Sequence, residues 1–188
     1  MTIAACYVSP EGIVLGADSA STYAFPTGHH HFNYGQKLFE IGTDSTLAVV
    51  TWGLGGLALG SYRTLAARLG DTLRGSPINA VLDAAVQWID LIWPIYSALP
   101  EVAVAKGLNA KLPFDPAAAP SSGRRTQLEE LQLAQLKNQL IVGFCIGGYV
   151  LNDRTPAAFE MIFDPLLSKP IPSRLPMAQS FWGVTHDH

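Results

Sequence analysis

Charge is scarce in this sequence: Asp, Glu, Lys and Arg make up 14% of 188 residues, against 48% apolar residues. So little charge cannot cover a folded exterior, and part of the apolar surface is expected to meet another surface, as in a self-associating subunit. The net charge of −3 offers no basic footprint for nucleic acid or an anionic membrane, and neither partner is expected. Cysteine is almost absent. Cys6 and Cys145 belong to no CxxC pair, so no zinc or dithiol motif is expected; both lie in apolar runs and read as buried, reduced thiols of a cytosolic protein. No apolar run reaches the roughly 18 residues of a membrane span. The first residues carry no basic segment and meet Glu11 too early for a signal peptide. The expectation is a cytoplasmic, single-domain chain over 1–188. No histidine pair has helical i, i+4 spacing, so His29, His30, His31, His186 and His188 read as solvated loop residues, and neither metal nor cofactor is expected.

What is present begins with β-rich runs. Residues 2–8 and 12–17 flank Ser9-Pro10-Glu11-Gly12, turn chemistry that predicts a hairpin. Residues 19–36, with Pro26, Gly28 and three histidines, read as a loop. A second hairpin is predicted for 37–41 and 45–51 around Gly42-Thr43-Asp44. Helical spacing follows at Leu59, Tyr62, Leu65, Ala66 and Leu69. A second helix is expected from about Ile78, with Pro77 in its first turn and Pro94 or Pro100 kinking or ending it. Its stripe Trp88, Ile92, Ile95 reads as core or subunit contact. A loop is expected over 106–124 and, from the capping box Thr126 to Glu129, a helix to about Gln139 with leucines 128, 131, 136 and 140 on one side. Strands over 140–149 and 157–163 follow, joined by Asn152-Asp153-Arg154.

The first hairpin places residue 2 beside residue 18, and that pairing carries the chemistry. If Met1 is removed, Thr2 presents a hydroxyl and a free α-amine on one residue, a nucleophile with its own base. Asp18 and Lys37 also have plainer readings, a turn or cap residue and a strand-edge lysine.

Three segments together, 2–7 (Thr-Ile-Ala-Ala-Cys-Tyr), 11–19 (Glu-Gly-Ile-Val-Leu-Gly-Ala-Asp-Ser) and 37–41 (Lys-Leu-Phe-Glu-Ile), resemble the opening of the proteasome β-subunit family and its bacterial relatives. Residues 141–149 and 159–165 resemble that family's third hairpin, so the likeness covers most of the chain apart from 106–139, which reads as a loop-plus-helix insertion. The resemblance implies an α+β fold of the N-terminal-nucleophile hydrolases, a four-layer αββα sandwich of two antiparallel sheets between helices. It implies Thr2 as nucleophile, with Lys37 beside it favouring a neutral amine and a more acidic hydroxyl, and Asp18 orienting and compensating Lys37. It also implies an oxyanion amide at Gly53, with Gly55 second, in the glycine cluster between strand and helix; a glycine-rich connection that only permits close packing explains the same residues.

Two departures stand out. Where the family carries a supporting serine, this chain has Trp182, leaving Ser180 as the nearest hydroxyl. Beyond Gly183 only five residues remain, so the family's last helices are expected to be missing and one sheet face uncovered. The resemblance implies a threonine-type peptidase acting on peptides or unfolded protein, in rings of six or seven subunits, stacked in pairs or single, with any ATPase partner unspecified. The alternatives are an inactive ring or scaffold of the same fold and a hydrolase of small amides.

Overall fold

The computed structural model describes residues 3–25, 28–32, 35–43, 45–57, 60–117 and 123–183, the segments 21–25 and 28–32 by their backbone. Thr2, Leu59, His186 and His188 lie outside the described residues. The chain opens with β1 (Ile3–Ser9) and β2 (Gly12–Ala17), then β3 (Ser21–Phe25) and β4 (Gly28–Phe32), then β5 (Leu38–Glu40) and β6 (Leu47–Gly53). Four helices follow: α1 (Tyr62–Gly75), α2 (Val81–Ser97), α3 (Pro100–Asn109) and α4 (Gln127–Leu140). The chain returns to strand with β7 (Val142–Gly148), β8 (Ala157–Phe163), β9 (Ser173–Arg174) and β10 (Gln179–Gly183).

The fold class is α+β. Strands β5-β6-β7-β8-β9 form a five-stranded antiparallel sheet, β10-β1-β2 a three-stranded one, and β3-β4 a separate pair. The β1–β2 turn follows its sequence: Ser9 pairs with Gly12, and the Gly12 amide donates to Ser9 Oγ at 3.2 Å. Residues 19–36 depart from the expected loop, because 21–25 and 28–32 pair in register from Ser21↔Phe32 to Phe25↔Gly28. Their Gly and His composition masks the strand pairing of 21–25 with 28–32.

The five-stranded sheet is covered on both faces. Helices α1 and α2 pack on one side, and Tyr62, Leu65, Leu69, Trp88, Ile92 and Tyr96 meet Phe144, Met161 and Phe163 there. The three-stranded sheet packs on the other side through Ala4, Cys6, Val8, Val50, Trp52, Cys145 and Ala158. The two sheets bury their strands differently. Val142 through Gly147 on β7 are all buried, whereas β1 alternates, with Ala4, Cys6 and Val8 turned inward and Ile3 and Tyr7 exposed. Among the described residues no helix covers the outer face of the three-stranded sheet, where Ile3, Tyr7, Val14 and Phe181 are exposed.

The helical region corrects the sequence reading in three places. Pro77 lies ahead of α2, which begins at Val81 and passes through Pro94; Pro100 opens α3 as its first residue, where its missing N–H costs nothing. Residues 106–109 are therefore helix and not loop. Thr126 does cap α4, accepting from the Glu129 amide while Glu129 accepts from the Thr126 amide. The buried side of α4, however, carries Leu133 and Leu140 with Leu136 partly covered, while Leu128 and Leu131 are exposed. Arg125 anchors this region, donating to the carbonyls of Leu108 and Lys111 and pairing with Glu130 at 2.6 Å. No helix among the described residues is long and apolar enough to cross a membrane.

Candidate functional site

Asp18 follows β2, and the β1–β2 register brings it to the start of β1, where the Asp18 amide donates to the Ile3 carbonyl at 3.0 Å. The Asp18 side chain returns the contact: Oδ1 accepts the Ile3 amide at 3.0 Å. Lys37 reaches the same oxygen, with Nζ 2.6 Å from Asp18 Oδ1, and also donates to the Ala20 carbonyl. Its side chain is only 9% exposed, while that of Asp18 is 26% exposed. One carboxylate oxygen thus ties a buried ammonium to the backbone of the residue that follows Thr2.

The electrostatics of Asp18 follow from those contacts. Burial opposes its ionisation, but the hydrogen bonds from Lys37 and from the Ile3 amide, together with the Lys37 charge, outweigh it and hold the carboxyl below the usual carboxylate range. Acceptors on Asp18 and Ala20, together with burial, keep the ammonium at the end of the two packed sheets where β1 begins.

The Lys37 carbonyl accepts from the Thr51 amide at 2.9 Å, which fixes Lys37 beside the last third of β6. Gly53 closes β6 two positions further on, with φ +84. A Cβ there would lie 2.2 Å from the Ile141 carbonyl oxygen, so the close approach of β7 and the left-handed backbone both demand glycine. The neighbouring Leu54 amide is already engaged by Ile141 O at 2.9 Å, and the Leu54 carbonyl accepts from the Tyr62 hydroxyl at 2.8 Å. The packing explanation for this glycine is therefore met in full, whatever its amide does in chemistry.

Trp182 occupies β10 opposite Ala4, one position from Gly183 opposite Ile3. Its indole turns into the seam between the sheets, stacks on Trp52 with ring centroids 4.3 Å apart and planes within 10°, and donates to Glu160. It packs half-buried against that seam, at the position where the family resemblance would call for a supporting hydroxyl. Ser180 offers no replacement, because it pairs with Cys6, three positions along β1 from Ile3, about 10 Å by strand geometry.

Sequence reasoning brought together Asp18 and Lys37 correctly in space and missed the Ala20 carbonyl as the third member of the cluster. A main-chain acceptor has no side-chain signature, so only the fold reveals it. Of the histidines, His29, His30 and His31 lie on β4 and pair with Ala24, Tyr23 and Thr22. Among the described residues no group of three His, Cys, Asp or Glu is placed to hold a metal ion. Compared with models of known protein families and with curated protein sequences, the chain matches none.

Proposed function

We propose that the chain is a subunit of a proteasome-like N-terminal-nucleophile hydrolase that cleaves peptide bonds through Thr2, within the four-layer sandwich class. The observation that carries this reading is the shared Asp18 oxygen, which holds Lys37 at 2.6 Å and the Ile3 amide at 3.0 Å. A plain strand-edge lysine would be solvated; this one is buried and aimed at the start of β1.

In this reading Met1 is removed and the Thr2 hydroxyl attacks the peptide carbonyl while the Thr2 α-amine takes its proton. The amine then returns that proton to the leaving amine, an ester to Thr2 remains, and water attacks it with the same amine as base. The Lys37 charge nearby favours the neutral amine, and Asp18 sets its position. Retained Met1 turns that nitrogen into an amide, which is no base. The apolar outer residues Ile3, Tyr7, Val14 and Phe181 support assembly, proposed here as a ring of six or seven copies.

Labelling with an electrophile that needs both an amine and a hydroxyl is the test, run on the assembled protein beside Thr2→Ala, with intact mass reporting Met1. The expected result is a single adduct on the demethionylated wild type, none on the variant, and a loss of peptidase turnover of about a thousandfold or more in Thr2→Ala. No Thr2-dependent adduct on demethionylated, assembled protein overturns the hydrolase reading and leaves a scaffold of the same fold. Light scattering that finds a monomer overturns the ring.

A further inference from the structure

Lys37 stands one residue before β5, on backbone that belongs to no strand or helix, so its main chain depends on individual hydrogen bonds. The Gly35 amide donates to the Ser19 carbonyl at 2.9 Å, and the Thr51 amide donates to the Lys37 carbonyl at 2.9 Å. Between those two ties the Gln36 side chain bridges over Lys37, its Nε2 donating to the Leu38 carbonyl at 2.9 Å. The other end of that amide is held from a helix. Arg63 of α1 donates to Gln36 Oε1 from both Nε, at 3.1 Å, and Nη2. Gln36 and Arg63 are exposed, so core packing does not explain the contact. Glu40 and Asp71 line the same groove of about 220 Å³, yet among the described residues the Arg63 guanidinium forms no ion pair and spends two donors on a neutral amide. Arg63 is also the second residue of α1, in a first turn without an acidic residue, where the helix macrodipole disfavours a cation. A guanidinium that gains no ion pair and opposes its own helix is accounted for by what it holds.

We infer that Arg63 is a positioning residue for Lys37, acting through the Gln36 side chain. With Gln36 Oε1 taken by Arg63, its Nε2 is kept on Leu38, and residues 36–38 are tied to the first turn of α1. Without Arg63 the Gln36 amide turns freely, and the backbone that carries Lys37 loses its link to the helix layer. Lys37 then reaches Asp18 and Ala20 from a looser base, and its ammonium spends less time on the Asp18 oxygen. The role is one of placement, with no bond made or broken by Arg63 or Gln36. Its consequence for catalysis rests on the proposed hydrolase reading, in which the Lys37 charge favours a neutral Thr2 amine. The clamp itself rests on the contacts alone.

The test compares the full chain as wild type with Arg63→Ala, Gln36→Ala, the double variant and Arg63→Lys. The first readout is the rate of Thr2 adduct formation with an electrophile that needs both amine and hydroxyl. Each single alanine variant should label roughly three- to tenfold more slowly. The double variant should be no slower than the singles, because both substitutions remove one clamp, and Arg63→Lys should recover part of the loss. Thermal unfolding separates placement from a structural role: with a cation removed from the first turn of α1, Arg63→Ala should melt within about 3 °C of wild type. The second readout needs no activity. Carboxyl NMR follows Asp18, whose titration lies below the usual carboxylate range in wild type and should move up in either alanine variant as Lys37 loosens. Labelling at the wild-type rate in both alanine variants, losses that multiply in the double variant, a rate loss that comes with a larger drop in melting temperature, or an Asp18 titration that stays in place overturns the inference. If demethionylated wild type forms no adduct, the hydrolase reading falls by itself, and the Asp18 titration decides the clamp.

Discussion

The two packed sheets bury similar kinds of residue in different ways. On the five-stranded sheet, Phe144 is fully buried and lies edge-on to Tyr62, Trp88 and Phe163 at centroid distances of 5.1, 5.2 and 5.6 Å. On the three-stranded sheet, Phe181 is 68% exposed beside Ala5 on a face that no described helix covers. One sheet is a central layer, and the other is an outer layer with a wet apolar side. The candidate site lies where the two meet, so the stiff sheet supplies Lys37 through its Thr51 contact while the outer sheet supplies Asp18 and Ile3.

If the central sheet carries the stability, Phe144→Ala is the most damaging change. It should cost about 3–5 kcal/mol through lost burial and the cavity left among the aromatic rings, read by urea unfolding. A cost below about 1 kcal/mol would show that the central layer is far looser than its contacts imply. Gly53→Ala comes next. Its Cβ meets the Ile141 oxygen at 2.2 Å on a φ of +84, so a loss of roughly 2–4 kcal/mol is expected. Any fall in activity in that variant must be separated from unfolding before Gly53 is given an oxyanion role.

Asp18→Asn probes the junction, and about 1–2 kcal/mol should be lost at neutral pH. The sign with pH follows from the lowered carboxyl of Asp18. Its contribution is fully present above the unfolded carboxylate pKa near 4 and disappears as pH falls through the lower folded value, so wild type and variant should converge in strong acid. A gap that stays constant with pH would break the ion-pair account. Phe181→Ala is the smallest change, within about 0.5 kcal/mol on the isolated chain. On the assembled protein its effect should grow if that face is an interface, which sedimentation of the variant against wild type would reveal.

Local chemistry was easiest to read where side chains speak for their own backbone. Ser9-Pro10-Glu11-Gly12 announced a hairpin, and Thr126 with Glu129 announced a helix start, because the donors and acceptors involved lie within three residues. The β3–β4 pair escaped because Pro26, Gly28 and three histidines look like loop composition, yet main-chain pairing accepts Gly28 and the histidines. The start of α3 escaped because a proline that can end one helix is equally suited to begin another. The exposed leucines of α4 escaped because its leucines spread over an arc wider than one buried stripe, and the sequence alone does not say which end of that arc meets the core. At the site, Asp18 was legible through hairpin spacing and Lys37 only through resemblance; the Ala20 carbonyl was not legible at all.

The sequence by itself determined the elements whose causes are local: hairpin turns, caps, helical stripes, and a residue 18 that must return to the start of the first strand. Tertiary structure alone decided which apolar faces are buried, because burial depends on what a face meets and not on its composition. It also decided that Cys6 and Cys145 share one buried cluster, that Trp182 stacks on Trp52, and that one Asp18 oxygen serves both Lys37 and Ile3. Those meetings join residues far apart in the chain, and only the packing of one sheet on another brings them together.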